Sequence, residues 1–410
     1  MTEKLPLLSA QLAFGLEAQR SGRRVVATLM FRTSPSRLST ADVSQVLRSI
    51  VLQNPALSCR IRFSRGAAYQ EWCPEECDFA ELHAESGEAA SRRVVEVVEE
   101  FETSLDGAPI SARLIRSPSS DDLLLVFDHA LVDEKSLLLI RRQLNAPSAP
   151  NGGRWERYKA AINDRKVLET VASNGPGIEF WAERLKTAVG GFPRMNEEAP
   201  TLTVPVAAFP GVAIPRSFRG SLFPYVLFSL HRALRDIAAP APTVIGYPWG
   251  SRNAAYSDVV GCFMNTVVSL DPAGSQQVPG TLDGFLWRWY REIDHADVPF
   301  SAVTALGSAF SGSVTAQLSY WHAAERTLEV AGTPAVEIPS SHSRTSYTSN
   351  CLAAATVRGD EIQFRLFLDE ETAGYGAQEL GARWCHWLDK TLASIPGRKH
   401  RSLDDQPHGE

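Results

Sequence analysis

Phe127-Asp128-His129-Ala130-Leu131-Val132-Asp133-Glu134-Lys135-Ser136 follows one apolar run, Leu123 to Phe127, and precedes another, Leu137 to Leu144. The first run is short and aliphatic, as a buried strand requires, and the second reads as a helix. His129 therefore stands where a strand ends, a place where clefts open. An imidazole, with an ordinary pKa of about 6.5, can take a proton or a hydrogen bond there at neutral pH. Asp133, four residues on, suits a carboxylate that locks the turn by pairing with an arginine. The H-x-x-x-D spacing alone decides little. It recurs from His400 to Asp404 in a polar tail, and a satisfied histidine capping a buried strand accounts for His129 as simply.

Working outward, Val25 to Phe31 reads as a strand. Thr40 is placed to cap a helix carrying Val43, Val46, Leu47, Ile50 and Val51 on one face, ended by Pro55. Leu57 to Phe63 and Tyr69 to Trp72 read as paired strands across a Ser-Arg-Gly turn. Val94, Val98, Phe101 and Leu105 share one face of a second helix. Ile110 to Ile115 joins Leu123 to Phe127 through a polar turn. Asn145 to Gly153 is the clearest linker. Beyond it, helices are predicted near 155–171, 177–188, 222–236, 281–294, 300–306 and 371–394. Strands are predicted at Thr243 to Tyr247, at Phe263 to Leu270, and near 314–320, 351–357 and 361–368. The pattern predicts an α+β fold of two lobes, 1–150 and 151–396, followed by a disordered tail at 397–410.

The chain has 410 residues, 44% hydrophobic and 21% charged, an ordinary globular composition. Its 41 Lys and Arg against 47 Asp and Glu leave a net charge of -6, which is no footprint for nucleic acid. No apolar run approaches the roughly 18–20 residues of a membrane span. Six cysteines without dense spacing suit a reducing cytoplasm. Cys73, Cys77 and His83 do not complete a zinc site, so no metal is expected. Phosphate-cradling loops, H-E-x-x-H and G-x-S-x-G are all missing from the sequence. Bond-forming chemistry here must draw on a substrate activated elsewhere.

Several segments, taken in order, carry a resemblance. Leu5-Pro-Leu-Leu-Ser-Ala-Gln11 resembles the opening motif of nonribosomal peptide synthetase condensation domains, in the chloramphenicol-acetyltransferase-like superfamily. Asn54-Pro-Ala-Leu57 through Arg60 to Phe63 is similar to their second motif. Asp128 to Ser136 looks like a variant of their HHxxxDGxS motif. Gly246-Tyr-Pro-Trp-Gly-Ser-Arg252, Val260-Gly-Cys-Phe-Met-Asn-Thr266 and Asp297-Val-Pro-Phe300 resemble three later segments. The resemblance spans roughly residues 5–395.

It implies two lobes in a V with a tunnel between them and His129 near its centre. It also implies a donor thioester on the phosphopantetheine arm of an acyl or peptidyl carrier protein, docking in trans, with no cofactor bound to the chain itself. A small-molecule amine or alcohol would be the acceptor. On this view His129 is catalytic, and Asp133 is structural, paired with Arg60, Arg62 or Arg252. Asp128, Glu134, Ser136 and Asn265 are expected along the substrate tunnel. The departures are specific: Asp128 replaces the family's first histidine, Glu134 its glycine, Asn54 a histidine and Ser58 an arginine. Asp128, Glu134 and Ser58 support an alternative, a non-catalytic recruitment platform; another is an acyltransferase using coenzyme A.

Overall fold

A computed structural model of the chain describes residues 3–64, 66–74, 77–145, 153–186, 201–202, 207–237, 242–250, 252–271, 281–306, 314–323, 327–338, 345–346, 351–368, 370 and 374–395. The interior of the expected linker and the tail at 397–410 lie outside the described residues.

The strand that leads to His129 organises the first lobe. Asp121–Asp128 lies inside a six-stranded sheet, between Val26–Thr33 and Ile110–Arg116 and antiparallel to both. Its side chains alternate between two cores, as the period of a strand dictates. Leu123, Leu125 and Phe127 face a core shared with Val43, Val46, Leu47 and Ile50 of the helix Thr40–Gln53. Leu124 and Val126 face Val94, Val97, Val98 and Phe101 of the helix Gly87–Thr103. Each such side chain contributes about 1.5–3 kcal/mol when withdrawn from water. With both faces covered, polar chemistry is left to the strand ends. The end at Asp128 is pinned by two backbone bonds, Asp128 N–H to Pro109 O (3.0 Å) and His129 N–H to Val25 O (2.9 Å).

The second lobe is a six-stranded sheet in the order Met264–Asp271, Thr243–Gly250, Ala316–His322, Cys351–Arg358, Glu361–Leu368 and Ala207–Ala213. The helices Phe223–Ile237 and Ala377–Ala393 cover it together, joined where Trp384 Nε1–H donates to Val226 O (3.1 Å).

The lobes are not two consecutive halves of the chain. The hairpin Thr327–Val330 and Thr333–Glu337 crosses over and pairs with Val26–Thr33, placing Val336 opposite Arg32 and Glu337 opposite Phe31. Tyr158, Ala161 and Ile162 of the helix Arg154–Ser173, together with Val259, Val260 and Phe263, also belong to the first lobe's core. Elements not anticipated from the sequence include this hairpin, the strands Lys4–Pro6 and Asp78–His83, and the helix Ser9–Ser21. Ser39, not Thr40, caps the helix Thr40–Gln53, its hydroxyl accepting from Asp42 N–H. Among the described residues, no helix is long and apolar enough to cross a membrane and no cluster of metal-ligating side chains forms.

Candidate active site

Asp133 ends the turn after His129 and caps the helix Glu134–Gln143. Its Oδ1 accepts from Ser136 N–H (2.9 Å), satisfying a backbone donor that a helix start leaves open. Arg252, from the second half of the chain, donates Nη2–H to both carboxylate oxygens (2.9 and 3.0 Å). Phe263 N–H adds a further bond to Oδ2 (3.1 Å). Both partners of the ion pair are 8% exposed, so the pair is withdrawn from bulk solvent. The Ser136 hydroxyl lies 2.8 Å from both Asp133 Oδ1 and Gly261 O, with one proton to give to one of them. It also accepts from Gly261 N–H (2.9 Å). Arg252 further donates to Gly261 O (3.0 Å) and lies over the Phe263 ring. The result is a lock between the His129 turn and the segment 252–263, in which both Asp133 carboxylate oxygens and the Ser136 hydroxyl are engaged.

Of the three arginines with an equal claim on Asp133, the structure therefore selects Arg252. Arg62 is corrected: it pairs with Glu71 (3.2 Å) and Asp106 (2.5 Å). Ser136 is likewise a member of the lock, its hydroxyl spent on Asp133 and Gly261 instead of lining a substrate path.

His129 is partly exposed, and its ring stacks on Phe14 with centroids 4.7 Å apart and 28° between planes. Its Nδ1 is buried with no hydrogen-bond partner among the described residues. Asp128 turns elsewhere. Its Oδ1 accepts from Ala130 N–H (2.9 Å), closing the turn, while Oδ2 stands 3.8 Å from Arg24 Nη1. Burial raises the Asp128 carboxyl above its ordinary range, opposed chiefly by the charge of Arg24. Asp128, Arg24 and Arg60 line a recess walled by Phe14, Ile61 and Phe63. Every residue around it belongs to the first lobe, and Arg60 is corrected from a partner of Asp133 to a wall of this recess.

Glu134 is the first residue of the helix, where the helix dipole favours a carboxylate. Its side chain is exposed to solvent at the helix start. Partial desolvation there, with Asp133 beside it, raises its carboxyl to about 7.

Asn265 has a different place from the one expected. It is buried, and its Nδ2 donates to Ala296 O and Val298 O (both 2.8 Å), while Oδ1 accepts from Phe300 N–H (3.1 Å). Its amide is consumed in clamping the Asp297-Val-Pro-Phe300 segment, so it is a tie between two motifs and not a tunnel group. Asp297 in turn pairs with buried Arg165, which is 3.6 Å from Glu169. Glu169 accepts from Ser9 N–H (3.0 Å) and Ser9 Oγ–H (2.9 Å). A chain of charged contacts therefore runs from the start of the helix Ser9–Ser21 to the loop of the second lobe. Arg165 and Glu169 were missed from sequence; an i,i+4 pair on a helix looks like ordinary surface charge.

No protein-family model and no curated protein matches the chain. Solved structures do. The X-domain in its complex with OxyB from teicoplanin biosynthesis is 18% identical, covers 97% of this chain and 94% of its own, and has a TM-score of 0.71. The first condensation domain of the CDA synthetase is 16% identical, with 96% and 97% covered and a TM-score of 0.73. The epimerization domain from the third module of tyrocidine synthetase B is 13% identical, with 96% and 98% covered and a TM-score of 0.71. Two lobes with interleaved segments, the lock at Asp133 and these likenesses over nearly the whole length lead to one conclusion: the chain has the fold of the condensation domains of nonribosomal peptide synthetases.

Proposed function

We propose that the chain is a condensation-type acyltransferase that joins a carrier-protein-bound acyl group to a small amine or alcohol. The observation that carries this reading is the placement of His129: a partly exposed histidine held at a strand end, its turn locked to the segment 252–263 through Asp133 and Arg252. Donor and acceptor would meet at His129 through a tunnel between the lobes. The acceptor's nitrogen or oxygen attacks the thioester carbonyl, and the carbon–sulfur bond breaks as the new bond forms. The proton leaving the acceptor passes through His129 to the departing phosphopantetheine thiolate. Because Nδ1 is buried, that transfer falls to Nε2. An amine with a pKa near 8 is already partly neutral, so alignment counts for as much as basicity.

A second reading, a recruitment platform without transfer chemistry, is favoured by Glu134 and Asp128, which replace two residues of the family's motif. It also draws on the complex formed by the X-domain neighbour with OxyB. The deciding experiment incubates the protein with acyl-carrier thioesters and a panel of amines and alcohols, read by intact mass spectrometry of the carrier. Loss of the acyl group that depends on both protein and acceptor supports the transferase. An acyl-carrier left unchanged across the panel supports the platform.

A further inference from the structure

The opening motif reaches the candidate site through one side chain. The helix Ser9–Ser21 is anchored at its start from both sides. Ser9 is held by Glu169, and Gln11 Oε1 accepts from Leu8 N–H and Gln70 Nε2–H (both 3.0 Å). Gln70 also donates to Pro6 O (3.1 Å) and accepts from the Tyr158 hydroxyl. A helix fixed this way delivers Phe14, one turn on, to the same place each time. Gly15 lets it lie close: a Cβ there would stand 3.0 Å from both Ile61 Cγ2 and Phe63 Cζ.

A catalytic imidazole is usually aimed by a hydrogen bond on the nitrogen that does not react. His129 has none, since Nδ1 is buried without a partner among the described residues. What restrains its ring is the stack on Phe14, at 4.7 Å and 28°. Aromatic stacking of this kind fixes the plane of a ring without adding a polar group. We infer that Phe14 is a positioning residue for His129, holding the imidazole plane by stacking where other sites use a hydrogen bond. The inference rests on the acyltransferase reading for its effect on rate, but its geometry can be tested without it.

The test compares Phe14→Leu, which keeps an apolar side chain and removes the ring, with Phe14→Tyr, which keeps the ring. Protein carrying 13C-labelled histidine, with His129 assigned through His129→Gln, reports the stack directly by NMR. The His129 ring protons should lie upfield in wild type and in Phe14→Tyr. In Phe14→Leu they should move downfield and broaden as the ring gains freedom. In the transfer assay, Phe14→Leu should lower kcat by about 10- to 100-fold, the scale on which misalignment acts, with KM and melting temperature little changed. Phe14→Tyr should restore kcat. Unchanged ring-proton shifts in Phe14→Leu would overturn the inference, as would a kcat that ignores the loss of the ring. Wild-type protein that transfers nothing would overturn the acyltransferase reading instead, and the shifts would still decide whether Phe14 holds the imidazole.

Discussion

Each lobe holds a histidine close to its sheet, and the two are opposites. His231, in the second lobe, is fully buried, with Nδ1 2.7 Å from Thr243 Oγ1 and Nε2 3.2 Å from Ser269 Oγ. Burial, reinforced by the charges of Arg184, Arg235 and Arg288, pushes it well below the ordinary imidazole range, so it stays neutral. His129 is partly exposed, has one nitrogen without a partner among the described residues, and is restrained by a phenyl ring. Buried, neutral and bonded at both nitrogens, His231 is part of the core. His129, reached by solvent at a strand end, is placed for chemistry. The plain account of a buried, satisfied histidine therefore fits His231, on the helix Phe223–Ile237, and not His129.

The comparison can be broken most forcefully at His129. His129→Ala should lower acyl transfer by about 10²–10⁴-fold, the usual worth of a positioned acid–base group. Its melting temperature should stay near that of wild type, since little packing is lost. Transfer that persists in His129→Ala would put the chemistry elsewhere.

Asp133→Ala should act on stability. It strands the Arg252 guanidinium and the Phe263 N–H behind it, at a cost of about 3–5 kcal/mol for a buried charge left unpaired. Denaturant unfolding measures this directly, and a midpoint equal to wild type would show that the lock carries no load.

The smallest effect sharpens the other half of the comparison. Neutral when folded, His231 takes up a proton on unfolding once the pH falls below about 6.5. The unfolded state then binds more protons, so stability should fall with falling pH by up to about 1.4 kcal/mol per pH unit. Asp271 and Glu292, raised chiefly by burial, contribute the opposite slope. They do so in wild type and variant alike, so the difference between wild type and His231→Gln isolates the histidine. That difference should shrink from pH 7 to pH 5, and a constant gap would mean that His231 titrates in the fold just as it does in the unfolded chain.

The sequence was most readable where local chemistry and long-range contact agree. The aliphatic run Leu123 to Phe127, the turn to Asp133 and the helix after it follow from periodicity and capping alone. Partner choice was not readable. Arg60, Arg62 and Arg252 are alike as residues, and Arg252 prevails because the segment 252–263 carries it to Asp133. Asn265 was misplaced for a related reason: its amide is spent on carbonyls of Ala296 and Val298, which no local pattern points to. Phe14 gave no signal, since the helix Ser9–Ser21 buries only Gln11 and Gly15 and lacks a plain apolar stripe. The crossover hairpin was hidden by short strands and by Pro334, a residue that ordinarily argues against a strand.

That hairpin also sets an order of events during synthesis. The outer edge of Val26–Thr33 is covered at Phe31 and Arg32 by Val336 and Glu337, which leave the ribosome long after it. At 5–20 residues per second the wait is about 15–60 s. Through that interval the first sheet presents an open strand edge, the kind of surface that recruits other chains. The nascent protein must therefore shield that edge until its own later residues arrive, and a fragment ending at residue 150 would never close it.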